Sequence, residues 1–153
     1  MSQINEASGH TVTMKRTFNA PVALVWEAWT QPEHISKWWG PQGMQTKVIT
    51  HDFKVGGEWK YAMAMPDGKE FISEGIYQEI VPHEKIVTSA EFKPMTEGVE
   101  LQILMQGDGE KTHFVFKVIH ATEEYRIQQE KMGIYNGWGS VFDRLQAFVE
   151  KAG

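Results

Sequence analysis

The sequence has 153 residues, which suits a single domain with a sizeable hydrophobic core. Its net charge of -5 and the lack of a basic stripe argue against nucleic-acid binding, and the absence of cysteine excludes disulfides, thiolate nucleophiles and sulfur-ligated metals. Six Trp, eight Phe and eight Met form an unusual surplus of large apolar side chains, which predicts an adaptable apolar interior.

The chain begins with a polar segment, MSQINEASGH, which we interpret as a flexible leader over residues 1–10. It has neither the basic start nor the apolar stretch of a signal peptide, and no run of about 18 apolar residues follows anywhere. We therefore expect a cytoplasmic protein without membrane insertion, whose single domain spans residues 11–153.

A strand and two short helices are predicted next. Alternating apolar and polar residues over 11–19 predict a half-buried strand. Pro21 then occupies a favoured first helical position, and apolar residues at helical spacing continue to Thr30. Pro32 opens a second helix, which Gly40 and Pro41 end.

From Met44 to Ile119 the apolar residues recur at every second position, in short segments separated by Gly-rich and Pro-Asp-Gly turns. This pattern predicts consecutive antiparallel hairpins that form a sheet with one apolar face. An apolar face of this size needs a cover, and the C-terminal segment offers the one long candidate.

The strongest periodic signal in the chain predicts a long C-terminal helix. Its apolar positions recur at steps of three and four: Ile134, Trp138, Val141, Phe142, Leu145, Phe148 and Val149. Gly133, Gly137 and Gly139 interrupt its first half, at about 1 kcal/mol each relative to Ala in a helix interior. We expect a close backbone approach or a thinned wall at these glycines.

The titratable residues form no recognised catalytic or metal-binding pattern. The six His are scattered without paired spacing, so we assign no metal ligand, cofactor or catalytic residue. If the protein were an enzyme, Glu74, His51 and Tyr61 would be the candidate proton carriers, with Glu74 chosen because alternation is imperfect around it.

Large aromatic and Met side chains on the predicted apolar faces are candidates to line a ligand cavity, although a filled core would produce the same pattern. The predicted ligand-binding residues are Trp38, Trp39, Phe53, Trp59, Tyr61, Met63, Phe71, Met105, Phe116, Trp138 and Phe142.

Several short motifs resemble a known family. They are Pro21-x-x-x-Val25-Trp26-x-x-Trp29-Thr30-x-Pro32-Glu33, Trp38-Trp39-Gly40-Pro41, Asp52-Phe53-x-x-Gly56-Gly57-x-Trp59, Gly75-x-Tyr77-x-Glu79-Ile80-x-Pro82 and Gly137-Trp138. Together with the order of elements, they are similar to the START-like or SRPBCC superfamily, and within it to the group resembling activators of a heat-shock-chaperone ATPase. The resemblance runs from about Thr11 to the C-terminus.

The resemblance implies an α+β helix-grip fold, like that of birch-pollen allergens. In this fold a curved antiparallel sheet wraps around a long C-terminal helix, and two short helices follow the first strand. It also implies a deep cavity that relatives use for lipids, hormones or polyketides, and no shared catalytic residue. Eukaryotic chaperone activators carry an additional N-terminal domain, in whose place this sequence has residues 1–10.

Three functional hypotheses follow. The first is binding of a small hydrophobic or amphipathic molecule, lipid or polyketide-like, without catalysis. The second is a cyclase-like or aromatase-like enzyme that uses the same cavity. The third is a stress-related co-chaperone or interaction module in which Trp38 and Trp39 form an exposed apolar patch. The sequence leaves the oligomeric state open.

Overall fold

The computed structural model describes residues 3–40, 43–93 and 96–152. Its strands, in chain order, are β1 (Ile4–Ser8), β2 (Thr11–Phe18), β3 (Gln45–His51), β4 (Glu58–Ala64), β5 (Glu70–Val81), β6 (Lys85–Lys93), β7 (Thr96–Asp108) and β8 (Lys111–Ile119). Its helices are α1 (Val22–Thr30), α2 (Pro32–Trp38), α3 (Glu123–Lys131) and α4 (Ile134–Ala152).

The eight strands form one antiparallel sheet in the order β1-β2-β8-β7-β6-β5-β4-β3. From β3 to β8 each strand pairs with its neighbour in sequence, as expected for consecutive hairpins. The register shifts in three of these pairings, and such irregularities increase the twist and bend of a sheet. The predicted series of hairpins is confirmed.

Helix α4 lies against the apolar face of this sheet. Phe142 is fully buried, and its ring centroid lies 5.1 Å from that of Phe114 and 4.9 Å from that of Phe116, both on β8. Helices α1 and α2 close one end of the sheet, where Trp38 is also fully buried. These elements confirm the predicted α+β helix-grip fold, with a long C-terminal helix held by a curved sheet.

The structure differs from the prediction at residues 4–8, which lie within the predicted flexible leader. They form the edge strand β1, which pairs with β2 from Ile4 opposite Lys15 to Ser8 opposite Thr11. All five residues are exposed, so no apolar alternation marks this strand in the sequence. Its pairing depends on backbone hydrogen bonds, which most side chains permit.

Helix α3 was also missed by the sequence interpretation. Its N-terminus carries an ordinary signal, since Thr122 accepts a hydrogen bond from the backbone N–H of Tyr125 and two Glu follow. Gln129 is its one buried residue, so the helix has no apolar stripe by which to recognise it. Among the described residues, no helix is long and apolar enough to cross a membrane.

Candidate functional site

An apolar cavity of about 190 Å³ lies between the sheet and the first half of α4. Its walls come from α4, the C-terminal end of α3, the end of α2, and strands β4, β6 and β8. The apolar side chains that line it are Trp39, Met63, Phe92, Val118, Met132, Ile134, Trp138 and Val141. A concave, mostly apolar recess with few polar groups is typical of a small-molecule site.

Two glycines keep this space open. Gly133 has φ +90°, a left-handed conformation that lets the chain turn between α3 and α4 without strain. Gly137 lies one turn into α4, and a Cβ added there would meet no atom within 4 Å. The cavity therefore exists partly because α4 lacks a side chain at position 137, where the sequence predicts either a close backbone approach or a thinned wall.

Trp138 separates the cavity from the hydrophobic core. Its ring centroid lies 4.5 Å from that of Phe116 and 5.4 Å from that of Phe92. It also contacts Trp39 edge-on, at 5.8 Å between centroids. Aromatic contacts on three sides hold this indole in place, so the wall has a defined shape before any ligand binds.

The polar groups of the cavity come from His120 and Gln129. His120 follows β8 and is 1% exposed, and its Nδ1 lies 3.3 Å from the carbonyl oxygen of His10. Its Nε2 is buried and has no hydrogen-bond partner among the described residues. Burial lowers the pKa of His120, although the hydrogen bond to His10 opposes that shift. The imidazole is therefore neutral at pH 7.

The cavity reaches the surface beside the junction of α3 and α4. Met132 lines it and is 63% exposed, which is unusual for a large apolar side chain. Helix α3 is held at this rim by Arg126, which donates to the carbonyl of Gly9 at 2.6 Å and forms an ion pair with Glu130. Tyr135 of α4 donates to Glu130 at 2.6 Å, and burial raises the pKa of this phenol to about 12.

Arg144 fixes the wall on the side of α2. Its guanidinium donates to the carbonyl of Lys37 at 3.1 Å, of Trp39 at 3.1 Å and of Gly40 at 2.8 Å. The Lys37 carbonyl is one that the end of α2 leaves without an intrahelical partner, and Trp39 and Gly40 directly follow this helix. Partial burial lowers the pKa of Arg144. The side chain is nevertheless positively charged, because a guanidinium group remains protonated at any physiological pH. The residue thereby ties α4 to the loop beside the cavity.

Three of the eleven predicted ligand-binding residues line this cavity, namely Trp39, Met63 and Trp138. The other eight lie elsewhere in the apolar interior or at its edge: Trp38, Phe53, Trp59, Tyr61, Phe71, Met105, Phe116 and Phe142. The indole N–H groups of Trp38, Trp39 and Trp59 already donate to Ala28, Ser73 and Thr88, respectively. These Trp side chains thus have their polar atom satisfied within the fold.

The candidate proton carriers lie apart from the cavity. Glu74 is on the polar face of the sheet, 3.8 Å from the ammonium of Lys60. His51 donates from Nε2 to the carbonyl of Thr30 at 2.8 Å, so its Nδ1 accepts from the Tyr61 hydroxyl at 2.9 Å. Burial lowers the pKa of His51 and raises the pKa of Tyr61.

The void beside Tyr61 is about 20 Å³, room for about one water molecule. It is too small for a substrate, so we assign a structural role to the contact between His51 and Tyr61.

A larger recess of about 670 Å³ lies along the polar face of the sheet, beside Glu58 and Lys60. Its lining mixes apolar side chains with several charged ones, and burying charged groups under an apolar ligand is costly. Among the described residues, no group of three or more His, Asp or Glu could hold a metal ion.

Sequence reasoning missed His120 and Gln129. The alternation that places Phe114, Phe116 and Val118 on the apolar face extends by one more step to His120, which was a usable signal. The sequence analysis treats His120 only as one of six scattered histidines. Gln129 has no such signal, because it belongs to α3, whose sequence is mostly polar and carries no apolar stripe.

Comparisons with known proteins identify the family. The family model for Activator of Hsp90 ATPase homolog 1-like protein matches residues 19–150. A crystal structure of a protein from Chromobacterium violaceum is 26% identical, with 92% of this chain and 97% of that chain covered and a TM-score of 0.80. A solution structure from Arthrobacter aurescens is 20% identical, covers 98% of this chain and 91% of that chain, and has a TM-score of 0.88.

A crystal structure of a protein from Rhodobacter sphaeroides is 16% identical over 99% of this chain and 100% of that chain, with a TM-score of 0.89. A search of curated proteins found no match. These three solved structures share the fold of this chain. The family model covers most of the chain, and the resemblance drawn from its motifs is confirmed: the chain belongs to the Activator of Hsp90 ATPase homolog 1-like family.

Proposed function

We propose that this protein binds a compact hydrophobic or amphipathic small molecule, without catalysis, in the cavity beside the first half of α4. The observation that carries the proposal is the open space at Gly137, in a helix whose second half packs closely against the sheet. The exposed Met132 supplies an entrance, and Trp138 supplies a flat apolar wall.

The cavity volume limits the size of the ligand. At about 190 Å³ it exceeds an engineered apolar cavity of about 150 Å³ that binds benzene. It is smaller than the sites of about 300–1,000 Å³ that enclose drug-sized ligands. One or two aromatic rings, such as a fragment of a polyketide, fit better than a complete lipid chain.

A matched pair of variants tests this function. Gly137→Leu places a side chain in the open space, whereas Asn136→Leu adds the same side chain to the neighbouring, exposed position of α4. Calorimetric titration with naphthalene should show saturable binding to the native chain and to Asn136→Leu. Gly137→Leu should weaken the binding of naphthalene by about tenfold or more. The added side chain would overfill the cavity when the ligand is bound, and overfilling costs about 1–3 kcal/mol.

Absence of saturable binding to the native chain, or equal binding to both variants, would contradict the proposal. Gly137→Leu also needs a check of its fold by circular dichroism and thermal unfolding. A folded variant that loses binding identifies the cavity as the site.

A catalytic use of the cavity is the second candidate, favoured by the free Nε2 of His120, which could accept a proton. Mass spectrometry of polyketide-like ligands recovered after incubation distinguishes the two. Unchanged ligand supports binding alone, and a cyclised or dehydrated product would support catalysis.

The hypothesis of a chaperone-binding module relied on an exposed apolar patch at Trp38 and Trp39. Neither side chain forms such a patch, because Trp38 is 0% and Trp39 is 4% exposed.

A further inference from the structure

The buried Nε2 of His120 is the one feature of the cavity that packing alone does not explain. The described residues leave this atom without a hydrogen-bond partner, although the side chain is 99% buried. An unsatisfied buried polar atom costs about 1–3 kcal/mol, so such atoms are rare in folded proteins. The side chain is one of those that line the cavity.

The contacts of the ring define what Nε2 can do. The carbonyl oxygen of His10 can only accept a hydrogen bond, so the His120 Nδ1 that lies 3.3 Å from it carries the proton. In a neutral imidazole with the proton on Nδ1, Nε2 is an acceptor. The strand backbone reinforces the arrangement, since the His120 N–H donates to the same His10 carbonyl at 2.8 Å.

The surroundings keep the ring in this state. The Tyr125 ring stacks on the imidazole at 5.7 Å between centroids. On α3, Arg126 and Glu130 carry opposite charges and are paired with each other. Burial of His120 disfavours protonation of its ring, and so does the positive charge of Arg126. The negative charge of Glu130 favours protonation.

We propose that His120 selects ligands that carry a hydrogen-bond donor, so that the molecule bound in the cavity is a compact apolar ring system with a hydroxyl or N–H group at one end. The proposal rests on the proposed function and narrows it from an apolar ligand to a phenol-like or indole-like one. The donor would satisfy Nε2 while the rings contact Trp138 and Val118. Ligands with an ether or carbonyl in the same place would leave two acceptors facing each other.

A series of three ligands of similar size tests the proposal by calorimetric titration of the native chain. Naphthalene has no polar group, 2-naphthol has a donor, and 2-methoxynaphthalene has an acceptor alone. We expect 2-naphthol to bind about three- to tenfold more tightly than naphthalene, the net gain of one buried hydrogen bond. We expect 2-methoxynaphthalene to bind more weakly than both.

Two variants assign the effect to His120. His120→Phe keeps an aromatic ring without an acceptor, so the preference for 2-naphthol should disappear while naphthalene still binds. His120→Gln returns a carbonyl acceptor near the position of Nε2 and should restore part of the preference. If His120→Phe does not fold, the native ligand series together with His120→Gln still decides the matter.

The outcomes separate this inference from the proposed function. Equal binding of all three ligands to the native chain would overturn the selection by His120 and leave ligand binding intact. Persistence of the preference in His120→Phe would also overturn it, since another group would then accept the donor. Failure of all three ligands to bind would overturn both.

Discussion

The two halves of α4 meet the same sheet in different ways. In the second half, Phe142 and Leu145 are fully buried and Val149 is 1% exposed, all packed among core side chains. In the first half, Ile134 and Trp138 are only partly buried and border a cavity that Gly137 leaves open. One helix thus combines a half that stabilises the fold with a half that leaves room for a ligand.

The largest expected effect is in the second half. Leu145→Ala should reduce the free energy of unfolding by about 2–5 kcal/mol, because it removes a fully buried side chain from a close-packed region. Ile134→Ala is the control in the first half and should cost less than half as much, since Ile134 already faces the cavity. Urea unfolding measures both. Equal losses would show that the two halves do not differ in packing.

The next effect concerns the tie between α4 and the cavity wall. Arg144→Gln removes a charged donor shared by the carbonyls of Lys37, Trp39 and Gly40, and should destabilise the protein by about 1–3 kcal/mol. Lys151→Gln, at an exposed position of the same helix, should change stability by less than about 0.5 kcal/mol. Thermal and urea unfolding compare the two. A similar small effect in both variants would mean that the wall does not depend on Arg144.

The third prediction is a gain in the free energy of unfolding, whereas the first two are losses. Gly137→Ala should raise the free energy of unfolding by about 0.5–1 kcal/mol, because Ala has the better helix propensity and its methyl group meets no atom within 4 Å. A loss of stability at this position would contradict the presence of open space there. Urea unfolding measures this gain, and Leu145→Ala serves as the reference variant that loses stability.

The smallest effect comes from the imidazoles of His51, which is partly buried, and His120, which is buried. Burial lowers the pKa values of His51 and His120 below the ordinary value of about 6.5 for a histidine side chain. As pH falls through 6.5, the unfolded chain therefore takes up protons before the native one, and the free energy of unfolding decreases. Unfolding between pH 8 and about pH 5 should show this loss, and His120→Gln should make the slope shallower. A slope unchanged by that variant would remove His120 as a contributor.

The architecture was predictable because its signals are periodic. Alternation in β4 and β8 and the three-and-four spacing in α4 each identify a buried face, so the grip of sheet on helix follows from the sequence. The exceptions have plain causes. Strand β1 is exposed throughout, and α3 is polar on nearly all sides, so neither carries an apolar period.

The cavity was predictable only in part. The glycine interruptions of α4 predict a close backbone approach or a thinned wall, and Gly137 borders the open space. Periodicity places Phe116 and Trp138 on apolar faces alike, yet only Trp138 lines the cavity, because its neighbours do not fill the volume on one side. Such differences in packing depend on the full three-dimensional arrangement. Strand alternation alone places His120 on the apolar face. Its unpaired acceptor follows only from the contacts of the ring, which the sequence does not show.

Amide and methyl chemical-shift mapping with naphthalene shows whether a ligand enters the cavity beside the first half of α4. Saturable shifts at Gly137, Trp138 and Val118, with little change at Leu145 and Val149, are the result predicted for a ligand between the sheet and the first half of α4. Shifts that do not saturate, or that concentrate along the polar face of the sheet beside Glu58 and Lys60, would contradict it.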